Sequence, residues 1–234
     1  MKKLITAIGL MSGTSTDGID ASIIKSDGED ILELLGDFFF PYELKIRSKI
    51  RELKEKIDKV SDLDTHTKEI TILEKEITLL HSHVVNLLIK KLKINKFKID
   101  LVGMHGHTIF HSFLDKETNQ LGDGKLLSRL TGLNVVCDFR TNDIKNGGQG
   151  APLVPIFHKL LQKKLKLKTP IIFVNIGGIS NLTYINEFNE TYLKELEIFL
   201  DFEDDLILNY YNFNIVEKNI DLNKVSKLFK KFEF

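Results

Sequence analysis

Four times in this chain an apolar run stops abruptly in a cluster of glycine and small polar residues: 12–20, 103–108, 138–150 and 175–181. One such cluster is an ordinary turn. Four of them, each after a strand-like run, describe a sheet whose strand ends gather around a ligand, the usual site in open α/β sheets. The first is the most compact. Residues 4–11 run apolar into Ser12-Gly13-Thr14-Ser15-Thr16-Asp17-Gly18-Ile19-Asp20, and the apolar stretch 21–24 follows at once. This reads as a strand, a tight turn and a returning strand. Gly13 and Gly18 admit a close backbone approach. The hydroxyls and amides of Ser12, Thr14 and Ser15 crowd the bend as in an anion cradle. Asp17 and Asp20 stand where a metal ion accompanying phosphates would be held. A plain β-hairpin accounts for the same residue types, since glycine and aspartate are common in such turns.

Residues 31–40, closed by Pro41, form a third strand, so the chain opens on an antiparallel meander that begins a mixed sheet. Over 43–59, Ile46, Ile50, Leu53 and Ile57 recur at helical spacing. Ser61 and Asp62 are placed to cap a long helix whose stripe is Ile70, Leu73, Ile77, Leu80, Val84, Leu87 and Leu88. His81 and His83 lie on that helix two residues apart, so they face different sides and make poor partners for one metal. The runs 99–104, 134–137 and 170–174 are strands, and the glycine-rich stretch 146–155 enters a helix over 156–164. The charged stretches 187–200 and 204–212 read as helical.

The 33 Lys and Arg balance the 33 Asp and Glu, so no global field draws the chain to nucleic acid or an anionic membrane. A single cysteine, Cys137, cannot form an intrachain disulfide and fits a reducing compartment. The apolar runs are too short to span a bilayer, and the first is too short and wrongly bounded for a signal peptide. A cytoplasmic protein is the expectation.

His105, His107 and His111 invite a zinc reading, because alternate strand residues share a face. No cysteine or tight carboxylate set accompanies them, and Gly106 reads as a loop, so hydrogen bonding to a polar ligand is favoured. Arg140 and Asp143 flank a turn. They serve as a surface ion pair, or Arg140 clamps an anionic or polyol group with its planar fork. The three glycines around Gln149 present backbone N–H groups near a helix N-terminus.

Taken together these motifs resemble the anhydro-N-acetylmuramic acid kinases. Gly-Leu-Met-Ser-Gly-Thr-Ser-Thr-Asp-Gly-Ile-Asp (9–20) is similar to the family's nucleotide-phosphate motif, and Gly-Met-His-Gly-His-Thr-Ile-Phe-His (103–111) to its His-Gly-Gln-Thr segment. The match over 135–155 is the most specific, and Asn-Ile-Gly-Gly-Ile-Ser-Asn (175–181) follows in order. The resemblance implies an α/β, actin-like ATPase (ribonuclease H-like) fold, a mixed sheet flanked by helices. It implies ATP-dependent opening of the 1,6-anhydro ring and phosphorylation at O6, with ATP and Mg²⁺ bound. Ser12, Gly13, Thr14, Ser15, Thr16, Asp17, Gly18, Ile19 and Asp20 would hold the nucleotide, with Asp17 and Asp20 on Mg²⁺. His105, Arg140 and Asp143 would face the amino sugar, and a homodimer is the assembly the family leads one to expect.

Three departures stand out. His107 takes the place of the family's Gln. The family's Asp-Thr-Gly-Pro-Gly-Asn motif, whose Asp is the general base, has as its nearest counterpart Leu-Asp-Phe-Glu-Asp-Asp (200–205), which makes Asp201 the candidate base. The chain is also shorter than a family member. Residues 1–185 are therefore expected to form the first domain and the start of a second, and 186–234 a degenerate or truncated segment. A sugar- or nucleotide-binding remnant without chemistry is the alternative function.

Overall fold

The computed structural model describes residues 3–175, 180–188 and 190–196. Ile5–Ser12 (β1) and Gly18–Ser26 (β2) pair antiparallel, Met11 opposite Asp20, and their inward residues Ile8, Leu10, Ile19, Ala21 and Ile23 are buried. Leu32–Pro41 (β3) returns antiparallel along β2 with Pro41 opposite Gly18, which brings the end of β3 beside the β1–β2 bend. The other edge of β1 takes Leu101–Ser112 (β4) in parallel. Glu117–Leu121 (β5) folds back antiparallel on β4, and Val135–Cys137 (β6) joins β4 in parallel. The order β3-β2-β1-β4-β5, with β6 also on β4, is the expected mixed sheet.

Helices flank it. Leu44–Lys54 (α1) buries Ile50 and Leu53. Val60–Thr65 (α2) leads into Thr67–Leu92 (α3), whose buried face of Ile70, Leu73, Ile77, Val84, Val85 and Leu88 joins the sheet residues in one core. Gly124–Thr131 (α4), Thr141–Lys145 (α5) and Pro155–Lys164 (α6) complete the helices of the described residues. Ile171–Asn175 (β7), Ser180–Ile185 (β8) and Thr191–Leu196 (β9) form a second, antiparallel sheet in the order β7-β8-β9.

Several elements differ from the sequence expectations. The helix expected over 43–59 stops at Lys54, and Asp62 sits inside α2, where its carboxylate accepts the N–H groups of Asp58 and Lys59. Gly106 does not end a strand. At φ +77° it makes a bulge, and β4 continues through it to Ser112. The register with β1 slips there, from Leu10 opposite Met104 to Ser12 opposite His107. The slip cancels the alternation that put His105 and His107 on one face, so each finds different partners. Residues 191–196 were expected to be helical and are strand. Pairing with β8 across a hairpin closed at Asn186 overrides the helix preference of Leu, Lys and Glu. His81 is buried and His83 exposed, on different helix faces as the spacing required. The expected helix over 204–212 and the candidate base Asp201 lie outside the described residues.

Candidate active site

Parallel pairing builds the site. Because β1, β4 and β6 run the same way, the end of β1 at Ser12 lies beside His107, and the end of β6 at Cys137 lies opposite Met104. The bend after β1 and the Asp138–Arg140 turn after β6 therefore emerge at one end of the sheet. Ligands bind there in open α/β sheets.

The β1–β2 bend is tight: the Thr16 N–H donates to the Gly13 carbonyl at 3.0 Å, and Thr16 takes a left-handed φ of +56°. Thr14, Ser15 and Asp17 are exposed at its tip, and the Ser15 hydroxyl donates to Asp17 at 2.6 Å. Gly18 is obligatory, since a Cβ there would lie 2.3 Å from the Phe40 carbonyl oxygen. Ser12, Thr16 and Ile19 are buried. Ile19 belongs to the hydrophobic core, so its side chain supports the bend from below. Asp20 is exposed, and partial burial together with the neighbouring Asp17 charge raises its carboxyl above the usual range.

The Ser12 hydroxyl faces inward. It shares hydrogen bonds of 2.8 Å with the Tyr42 hydroxyl and with His107 Nδ1. The Tyr42 N–H in turn donates to the Asp17 carbonyl at 2.9 Å, so Tyr42 grips both shoulders of the bend. Burial pushes the Tyr42 phenol up to about 12. Burial, then the charge of Lys54 and the neighbouring His81 and His105, push His107 down to about 4, so it is neutral at pH 7. His107 Nε2 is buried with no hydrogen-bond partner among the described residues. Sequence reasoning missed Tyr42. The available signal is topological: a tyrosine directly after a strand that returns to the bend.

The second constellation centres on the Gly150 peptide. Arg140 Nη1 donates to the Gly150 carbonyl at 2.6 Å, and the Gly150 N–H donates to the Asp143 carboxylate at 2.7 Å. Arg140 also donates through Nε (2.9 Å) and Nη2 (2.8 Å) to His105 Nε2. His105 Nδ1 lies 2.9 Å from the Gly106 carbonyl and donates to it. Burial holds His105 below the ordinary histidine range, and the Arg140 charge adds to that, so Nε2 stays an acceptor. Gly148 lies so close to Asp143 that a Cβ would sit 2.2 Å from its carboxylate. Arg140 and Asp143 are thus joined through the backbone of Gly150, and His105 through Arg140, giving a fixed polar surface suited to a hydroxylated or anionic group. Among the described residues no cluster of three or more His, Cys, Asp or Glu is placed to hold a metal. No helix of the described residues is long and apolar enough to cross a membrane.

The sequence profile of the anhydro-N-acetylmuramic acid kinase family matches residues 5–192. Curated relatives of that name include those of Pelagibacter ubique, 47% identical over 198 residues, covering 85% of this chain and 52% of the relative. Those of Agrobacterium fabrum (40% over 189 residues; 80% and 51%) and Rhizobium etli (42% over 181 residues; 77% and 49%) match similarly. The chain spans about half the length of the curated relatives it matches. A profile match over most of the sequence, on a mixed sheet with polar clusters at its strand ends, makes this chain a member of the anhydro-N-acetylmuramic acid kinase family, of actin-like ATPase fold.

Proposed function

We propose that the chain serves ATP-dependent conversion of 1,6-anhydro-N-acetylmuramic acid to N-acetylmuramic acid 6-phosphate, and that it supplies the phosphate bend and one wall of the sugar site. In that reaction water, losing a proton to a base, adds to the anhydro carbon, the bridging O6 leaves it, and O6 takes the terminal phosphoryl group of ATP, releasing ADP. The observation that carries the reading is the convergence of two polar constellations at one end of the parallel strands, Ser12–Tyr42–His107 and His105–Arg140–Gly150–Asp143.

The tip of the bend, half-buried Gly13 with exposed Thr14 and Ser15, would take the phosphates on backbone N–H groups and hydroxyls, with Ser12, Thr16, Gly18 and Ile19 holding its shape. Burial, and then the charge of Asp17, raise the Asp20 carboxyl, and a divalent cation relieves such a pair of carboxylates. Mg²⁺ suits two carboxylates because it takes its remaining oxygens from phosphate and water. When bound, Mg·ATP supplies the phosphoryl group and neutralises its charge. His105, Arg140 and Asp143 would orient the sugar, with His105 neutral. A homodimer, a cytoplasmic location, a first domain with the start of a second over 1–185, and the general base Asp201 belong to the same proposal.

A second reading, ligand binding without turnover, is favoured by one observation. The family profile stops at residue 192, before Asp201, whose flanking sequence lacks the Gly-Pro-Gly of the family motif. One assay separates the two. Purified chain, Mg·ATP and the anhydro sugar are mixed and the 6-phosphate is sought by mass spectrometry. Turnover at an ordinary enzymatic rate supports the kinase, and calorimetric binding of both ligands without product supports the second reading. Binding of neither contradicts both.

A further inference from the structure

On α1, the apolar residues Ile46, Ile50 and Leu53 form the face turned to the core, and two strips of charge flank that face. One strip is neutralised within the fold. Lys49 pairs with Glu76 at 2.6 Å and, just past the helix end, Lys56 pairs with Glu69 at 2.7 Å. The other strip is Arg47, Arg51 and Lys54, spaced i, i+4 and i+7 so that the three share a side. None of these three has a carboxylate partner among the described residues. Arg51 Nε points to the phosphate bend and donates to Thr16 Oγ1 at 3.3 Å. Arg47 Nε is buried without a hydrogen-bond partner. The charge of Lys54 is felt at His107, the partner of Ser12. Arg51 and Lys54 are exposed.

The simplest competing account is that basic residues near a helix C-terminus satisfy its dipole. That account covers the placement of Arg51 and Lys54, both in the last turn. It does not explain Arg47 in the first turn, or a guanidinium drawn to the hydroxyl of the strained bend residue. Cations without a carboxylate partner beside an exposed turn are what an incoming oxyanion requires, and a guanidinium binds one through paired, charge-assisted hydrogen bonds.

We propose that Arg51 and Lys54, with Arg47 behind them, bind an oxyanion of the ligand seated at the β1–β2 bend, either a nucleotide phosphate or the carboxylate of the sugar acid. This rests on the reading of the bend as a ligand site, and α1 then forms one side of that site.

Calorimetry of the full chain tests it with four probes: Mg·ATP, inorganic tripolyphosphate, anhydro-N-acetylmuramic acid and its methyl ester. The proteins are the unmodified chain, the double variant Arg51→Gln/Lys54→Gln, Arg51→Lys, and Lys49→Gln as control. The expected result is about tenfold or greater loss of affinity for one anionic probe in the double variant, partial retention in Arg51→Lys, and little change in Lys49→Gln. Salt should weaken the unmodified chain more than the double variant. Loss confined to Mg·ATP and tripolyphosphate assigns the strip to phosphate. Loss confined to the free acid, with the ester unaffected in either protein, assigns it to carboxylate. Equal affinities of the double variant and the unmodified chain for every probe overturn the proposal while leaving the kinase reading intact. Strip-dependent binding of tripolyphosphate alone keeps the strip and removes the kinase reading. No binding of any probe to the unmodified chain removes both.

Discussion

Replacing His107 by glutamine puts the family's amide back into the buried network, and its effect should be visible in the pH dependence of stability. In the folded chain His107 is held down to about 4, against 6.5 for an ordinary histidine. The unfolded chain therefore binds this proton more tightly, and acid favours unfolding. The contribution is fully present above 6.5 and is lost as pH falls from 6.5 towards 4. Linkage over that window gives a loss of about 2 kcal/mol between pH 7.5 and pH 5, levelling near 3 kcal/mol in stronger acid. His81, also buried and pushed down to about 4, adds a loss of the same sign and remains in the variant. At pH 7.5 the glutamine retains a hydrogen bond to Ser12, so its stability should lie within about 1 kcal/mol of the unmodified chain. Urea unfolding followed by circular dichroism at pH 7.5 and pH 5 measures both quantities. The carboxylates are common to the two proteins and cancel in the comparison. The expected result is that His107→Gln loses about 2 kcal/mol less than the unmodified chain on acidification. Equal losses would refute the claim that a neutral His107 is locked beneath the bend.

Tyr42→Phe removes the phenol that meets Ser12 at 2.8 Å but leaves Ser12 its bond to His107. No orphan is created, so the cost is about 1 kcal/mol, a melting point lower by roughly 2–4 °C in calorimetry. Gly148→Ala forces a methyl group into the Asp143 carboxylate, which must swing away from the Gly150 N–H. Affinity for the anhydro sugar should fall about tenfold or more in titration calorimetry.

The runs that became β1, β2, β3, β4 and β6 were legible because buried strands write themselves as apolar stretches bounded by glycine and polar residues. The extension of β4 through Gly106 was not, since a glycine between two histidines looks like a strand end until its positive φ is known. β5, Glu-Thr-Asn-Gln-Leu, lies at the end of the sheet path and carries no apolar run to detect. α4 left clearer signals, an Asp123 side chain capping its start and Gly132 in the left-handed conformation at its end. For β9 the composition pointed the wrong way, because strand pairing is a property of the partner and not of the six residues themselves.

At the site, residue types were informative and connectivity was not. Arg140, Asp143 and His105 stood out as polar groups after strands, yet Arg140 and Asp143 meet through the backbone of Gly150, which only loop closure brings between them, and His105 joins through Arg140. The departure at His107 was visible as a residue out of place. Its partners Ser12 and Tyr42 depend on the register slip at Gly106 and on β3 ending beside the bend.

The account depends most on the bend between β1 and β2 receiving a nucleotide's phosphates. A crystal structure of the full chain with Mg²⁺ and a non-hydrolysable ATP analogue tests this directly. The prediction is that the terminal phosphate oxygens accept hydrogen bonds from the backbone N–H groups of Gly13, Thr14 or Ser15, with the metal against Asp17 or Asp20. A triphosphate lodged elsewhere, with the bend unoccupied, would contradict it.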